Sequence, residues 1–78
     1  MGINTLELKA ARVRRGLTQR DVAEALETVV GNYANKENGH TSMSIEEANQ
    51  IAGLLALSDS EIMGIFFNSR TSLKIQVK

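Results

Sequence analysis

Between Thr18 and Ser42 the chain places four side-chain amides, Gln19, Asn32, Asn35 and Asn38, among Lys36, His40, Thr41 and Ser42. An amide donates and accepts in one plane, which matches the N6 and N7 edge of adenine, while polar side chains of this kind also bond phosphate oxygens. Asn35 stands out, because an exposed asparagine inside a helix is otherwise a poor helix former. Catalytic chemistry has less support. The carboxylates fall mainly on predicted solvent faces rather than converging on a pocket. With no cysteine and a single histidine, His40, a thiolate metal site or histidine-rich centre is excluded, so no metal and no cofactor are expected.

These side chains must be positioned by short helices, whose starts are written in capping residues. Asn4 with Glu7 opens a first helix, flanked by Ile3 and Leu8 at the positions of a hydrophobic staple, and Gly16 ends it. Leu8, Ala11 and the stem of Arg12 face inward. Thr18 with Asp21 opens a second helix carrying Val22, Ala23 and Leu26, and small Ala23 permits a close helix crossing. A third helix is expected from about Val29 to Asn38, stopped at Gly39. Ser44 opens a fourth with Ile45, Ala48, Ile51, Ala52 and Leu55 on one face, and Ser58 opens a fifth with Ile62, Ile65 and Phe66. From Asn68 the period changes: Leu73, Ile75 and Val77 alternate with polar residues at strand spacing.

The stretch from Gly16 to Gly39, G-L-T-Q-R-D-V-A-E-A-L-E-T-V-V-G-N-Y-A-N-K-E-N-G, resembles the helix-turn-helix of the Cro and lambda-repressor type, the XRE family of bacterial and phage DNA-binding regulators. The resemblance spans about residues 6 to 67. It implies an all-α fold, a compact five-helix lambda-repressor-like domain over residues 1–67, with a C-terminal tail over 68–78 that is either one β-strand or a frayed end. Its implied partner is a palindromic double-stranded DNA operator, bound by a homodimer without a small-molecule ligand. Gln19 then bonds a phosphate. Val30, Gly31 and Asn35 fall at base-contacting positions, with Asn32 beside them. Lys36, Asn38, His40, Thr41 and Ser42 surround a loop that approaches phosphates, and Arg12 and Glu37 fall where the family forms an interior ion pair. Spacing from Tyr33 leaves Val30 open between groove and core. Two positions depart from the pattern: Glu27 stands where the turn usually has glycine, and Val29 where a hydroxyl N-cap is usual, leaving Thr28 as an alternative cap.

Charge sits awkwardly with nucleic acid. Nine basic and nine acidic residues cancel, whereas DNA binders usually carry a basic excess. Residues 1–40 hold six basic side chains (Lys9, Arg12, Arg14, Arg15, Arg20, Lys36) against five acidic (Glu7, Asp21, Glu24, Glu27, Glu37). That slight excess predicts weak binding by a monomer. It leaves a second function class open, a protein-interaction module on the same fold, such as an antitoxin or antirepressor. No apolar run approaches membrane-spanning length and no signal pattern opens the chain, so a cytoplasmic protein without membrane contact is expected. A lone strand cannot stand by itself. Leu73, Ile75 and Val77, aided by Phe67, are therefore expected to pair with a second copy and to space two recognition helices roughly 34 Å apart, one DNA turn.

Overall fold

A computed structural model describes residues 3–67. These form five α-helices with no strand among them: α1 (Thr5–Arg14), α2 (Gln19–Ala25), α3 (Val30–Glu37), α4 (Ile45–Leu54) and α5 (Asp59–Phe66). Four helices begin where a polar side chain answers a backbone amide left free by the first turn. Asn4 Oδ1 accepts from the Glu7 N–H at 3.1 Å. Thr18 with Asp21, Ser44 with Glu47, and Ser58 with Glu61 form reciprocal capping boxes. Hydrogen bonding to the backbone of Thr18, Ser44 and Ser58, foremost, holds the Asp21, Glu47 and Glu61 carboxyls below their ordinary values. The exception is α3, whose N-cap is Val29 with no side-chain hydrogen bond.

Helix ends follow one rule as well. In α1 through α4 the first residue past the cap adopts a left-handed backbone and the next N–H reaches back five residues, the Schellman arrangement. Gly16 and Gly39 provide the positive φ at two of these ends, where glycine adopts it without steric cost. Glu27 (φ 60°) and Ala56 (φ 52°) do so at the other two. The closing bonds run from Leu17 to Arg12, Thr28 to Ala23, His40 to Asn35 and Leu57 to Ala52, at 2.8–3.2 Å.

The core gathers Leu8 and Ala11 of α1, Val22 and Ala23 of α2, Tyr33 of α3, Ala48 and Ile51 of α4, and Ile65 and Phe66 of α5, closed by Met43 and Leu55 from the connecting segments. Ile3, Leu17, Leu26, Val30, Leu57 and Ile62 pack against its edge. Ala23 is buried, and α2 and α3 lie directly against each other. Ile45 departs from expectation: it is 71% exposed and Ala52 only partly buried. At 100° per residue Ile45 stands about 120° around α4 from Ile51, outside the buried stripe.

Two arginines at the end of α1 bind the distant half of the chain. Arg15 donates from Nε to the Leu55 carbonyl at 2.6 Å and from Nη2 to the Ala56 carbonyl at 3.1 Å, satisfying carbonyls at the end of α4. Arg14 reaches Glu61 at 3.0 Å and Arg15 reaches it at 3.5 Å. The Asn4 N–H donates to the Ile65 carbonyl at 2.8 Å, joining the start of α1 to α5. Phe67 follows α5 as its C-cap and is half-exposed. The expected strand at Leu73, Ile75 and Val77 lies outside the described residues. No helix among the described residues is long and apolar enough to cross a membrane.

Candidate nucleic-acid interface

The C-terminal half of α3 is tied into the protein. Glu37 is fully buried and Arg12 nearly so. The guanidinium meets the carboxylate in a fork, Nε to Oε1 at 2.8 Å and Nη2 to Oε2 at 3.2 Å, while Nη1 donates to the Leu17 carbonyl at 2.7 Å. Paired planar groups of this kind make the strongest charge-assisted hydrogen bonds. Burial by itself would raise the Glu37 carboxyl. The hydrogen bonds from Arg12 and Gln19, the neighbouring Tyr33 hydroxyl and the Arg12 charge outweigh it, and the group is held below its ordinary value. Burial first, and then the Glu37 carboxylate, push the Tyr33 hydroxyl well upward. That hydroxyl lies close enough to influence the carboxylate yet makes no hydrogen bond of standard geometry.

The outward face of α3 has the opposite character. Gly31, Asn32 and Asn35 are all exposed, with Gly31 and Asn35 one turn apart on the same face. Nothing lies within 4 Å of where a Cβ on Gly31 would stand, so neither turn geometry nor packing demands glycine there. Asn32 Nδ2 donates to Thr28 Oγ1 at 2.7 Å. Thr28 therefore does not serve as the N-cap. It holds the side chain of a residue one turn into the helix.

The other candidates are placed as follows. Val30, left open between groove and core, is partly buried against the core, because it begins α3 three residues before fully buried Tyr33. Val29 takes the outward place and is 70% exposed. Gln19 Nε2 donates to Glu37 Oε2 at 3.2 Å, which leaves one amide hydrogen and the carbonyl oxygen for an outside partner. Lys36 is turned toward α4: its Nζ donates to the Ser42 carbonyl at 3.2 Å and pairs with Glu47 at 3.4 Å. The loop's backbone amides are largely spent, since the His40 and Thr41 N–H groups both donate to the Asn35 carbonyl and the Gly39 N–H to that of Lys36. The side chains of Asn38, His40, Thr41 and Ser42 stay exposed.

The basic residues of α1 are also redirected. Arg12, Arg14 and Arg15 are engaged by carboxylates and carbonyls, although Arg14 and Arg15 stay on the surface. Among the described residues Lys9 and Arg20 are the cations without an ion pair, and both are exposed. Lys9 and Gln19 line one surface hollow between α1 and the start of α2. Neither Lys9 nor Arg20 stands at a position that the resemblance assigns to DNA, and only the pairing of their neighbours singles them out. No group of three or more metal-ligating side chains converges among the described residues.

A family model described as a helix-turn-helix domain matches residues 5–62, from the first residue of α1 into α5. Searches of curated proteins and of solved structures returned no match.

Proposed function

The chain belongs to the helix-turn-helix domain family, a DNA-binding class, and from that premise we propose that it reads a specific duplex sequence with α3 in the major groove. The observation that carries this reading is the outward face of α3: exposed Asn35 and Asn32 beside a glycine whose missing side chain leaves open space. Asparagine can accept from N6 and donate to N7 of adenine, and a bare Cα lets the helix backbone come close to base edges. Val29, not Val30, is the apolar contact for a thymine methyl group. Gln19, Lys9 and Arg20 are assigned to phosphates beside the groove, as exposed or partly exposed polar side chains on α1 and the first turn of α2.

In this reading the protein is a Cro-like or small prophage repressor that occupies a palindromic operator as a dimer. The dimer contact is assigned to Phe67 with Leu73, Ile75 and Val77, on the strength of the alternation in the sequence. Selection from random duplexes tests the function: a palindromic consensus is expected, with half-sites about one helical turn apart. Truncation after Ser69 tests the dimer, which should fall to a monomer in sedimentation and lose operator affinity. A second reading, a protein-interaction module such as an antitoxin or antirepressor, is favoured by the solvent-facing Val29 and by the engagement of four of the six described cations. It requires that the same selection enrich no sequence.

A further inference from the structure

We propose that Thr28 is a positioning residue for base recognition, holding Asn32 in a fixed rotamer so that Asn32 acts as a second reader beside Asn35. The inference rests on the DNA-reading role given to α3 and adds a residue outside that helix. Its starting observation is the hydrogen bond from Asn32 Nδ2 to Thr28 Oγ1 at 2.7 Å, between two side chains near the surface at the point where α3 begins.

This bond is not helix capping. The N-cap is Val29, and a capping hydroxyl would accept from a backbone N–H rather than from another side chain. What it restricts is the Asn32 side chain. The backbone that carries this hydroxyl is itself held in place. The Thr28 N–H donates to the Ala23 carbonyl at 2.9 Å and the Glu27 N–H to Glu24 at 3.0 Å, so the turn places Thr28 against the end of α2. Glu27 keeps this geometry with a left-handed backbone at φ 60°. Thr28 is half-buried while Asn32 is exposed, so the fixed partner is on the protein side and the restrained one faces outward.

The chemistry left over suits a base edge. A primary amide has two donor hydrogens and an acceptor oxygen. One hydrogen satisfies Thr28. The other hydrogen and Oδ1 remain as a donor–acceptor pair in one plane, the arrangement that recognises N7 and N6 of adenine. A side chain already held on the free protein loses less rotamer freedom on binding than a mobile one. Asn32 and Asn35 are three residues apart, neighbours on the helix surface, so the two amides would address adjacent base pairs.

The test compares binding preferences of the full chain and of Thr28→Val, Thr28→Ser and Asn32→Ala, each by selection from random duplexes and by titration on the enriched site, with melting curves as a check on folding. Thr28→Val keeps the shape and removes the acceptor; Thr28→Ser keeps the acceptor. The expected result is a loss of roughly two- to tenfold in discrimination at one base pair for Thr28→Val, at the same pair that Asn32→Ala affects, with Thr28→Ser close to the parent. Thr28→Val should add nothing to Asn32→Ala in the double variant. Unchanged preference in Thr28→Val overturns the inference alone. So does a loss spread evenly over all sequences, or one that Thr28→Ser shares. A parent that enriches no sequence overturns the DNA reading, and this inference with it.

Discussion

At its C-terminal end α3 is fastened by a fully buried carboxylate, Glu37, which accepts two hydrogen bonds from Arg12 and one from Gln19. At its N-terminal end, two turns away, the same helix starts on Val29, 70% exposed and without a side-chain cap, and then shows Gly31, Asn32 and Asn35 to solvent. Buried anchoring and exposed amides are thus divided between two faces of one eight-residue helix. The division explains how weak helix formers are tolerated on the outward face. The cost of glycine and asparagine there is met by an ion pair that holds the far end in place.

Breaking the fastened end should produce the largest effect. Arg12→Met leaves a buried carboxylate unpaired and should destabilise the domain by about 3–5 kcal/mol, a large share of the stability of so small a domain. Thermal denaturation followed by circular dichroism measures it, and an unchanged midpoint would show that the pair contributes nothing. Replacing both partners, Arg12→Met with Glu37→Leu, should restore much of the loss, since no charge is then stranded. Acid should weaken the same end. The Glu37 pKa is lowered on folding, as are those of Asp21, Glu47 and Glu61. Their stabilisation is complete above the unfolded carboxylate values near about 4 and disappears as pH falls through the lower folded values. Melting curves between neutral pH and pH 3 should therefore be flat at first and then fall, and Glu37→Gln should fall less steeply.

The outward end should respond in binding and not in stability. Asn35→Ala should leave the melting temperature nearly unchanged and remove about 1–3 kcal/mol of discrimination at one base pair. Equal binding of operator and random duplex by parent and variant alike would remove α3 as the reader. The smallest effect sharpens the comparison most, because its two parts have opposite signs. Gly31→Ala puts a methyl group into open space and should stabilise the helix by roughly 0.5–1 kcal/mol. Operator affinity should nonetheless fall if the backbone approaches DNA there. Gly53→Ala, also in open space but on α4, is the matched control: it should stabilise similarly and leave affinity as it was.

Local rules made much of this architecture readable before any coordinates. Capping boxes at Thr18, Ser44 and Ser58 and glycines at 16 and 39 announce helix limits through interactions that span three or four residues. What escaped that reading depends on partners far along the chain. The bonds from Arg14 to Glu61 and from Arg15 to the Leu55 carbonyl join residues 47 and 40 positions apart, so basic side chains that look available in sequence are committed in space. Spacing alone left Val30 open between groove and core; it packs against the core edge, while Val29 at the N-cap faces solvent. Ala56 takes a left-handed backbone that its side chain does not advertise.

The commitment of those arginines bears on ionic strength. Each phosphate neutralised by a lysine or arginine releases condensed counterions, and the logarithm of the binding constant falls with that of salt concentration by about 0.9 per contact. With Arg12, Arg14, Arg15 and Lys36 already paired with carboxylates, Lys9 and Arg20 are the cations without an ion pair among the described residues, and the first available to displace ions. Two such contacts correspond to a slope contribution near −2, shallow for a duplex-binding protein. Non-specific attachment to the excess of other DNA would be correspondingly weak. Occupancy of a correct site would then depend on hydrogen-bonded base contacts across the range of salt in which charge-driven binders dissociate.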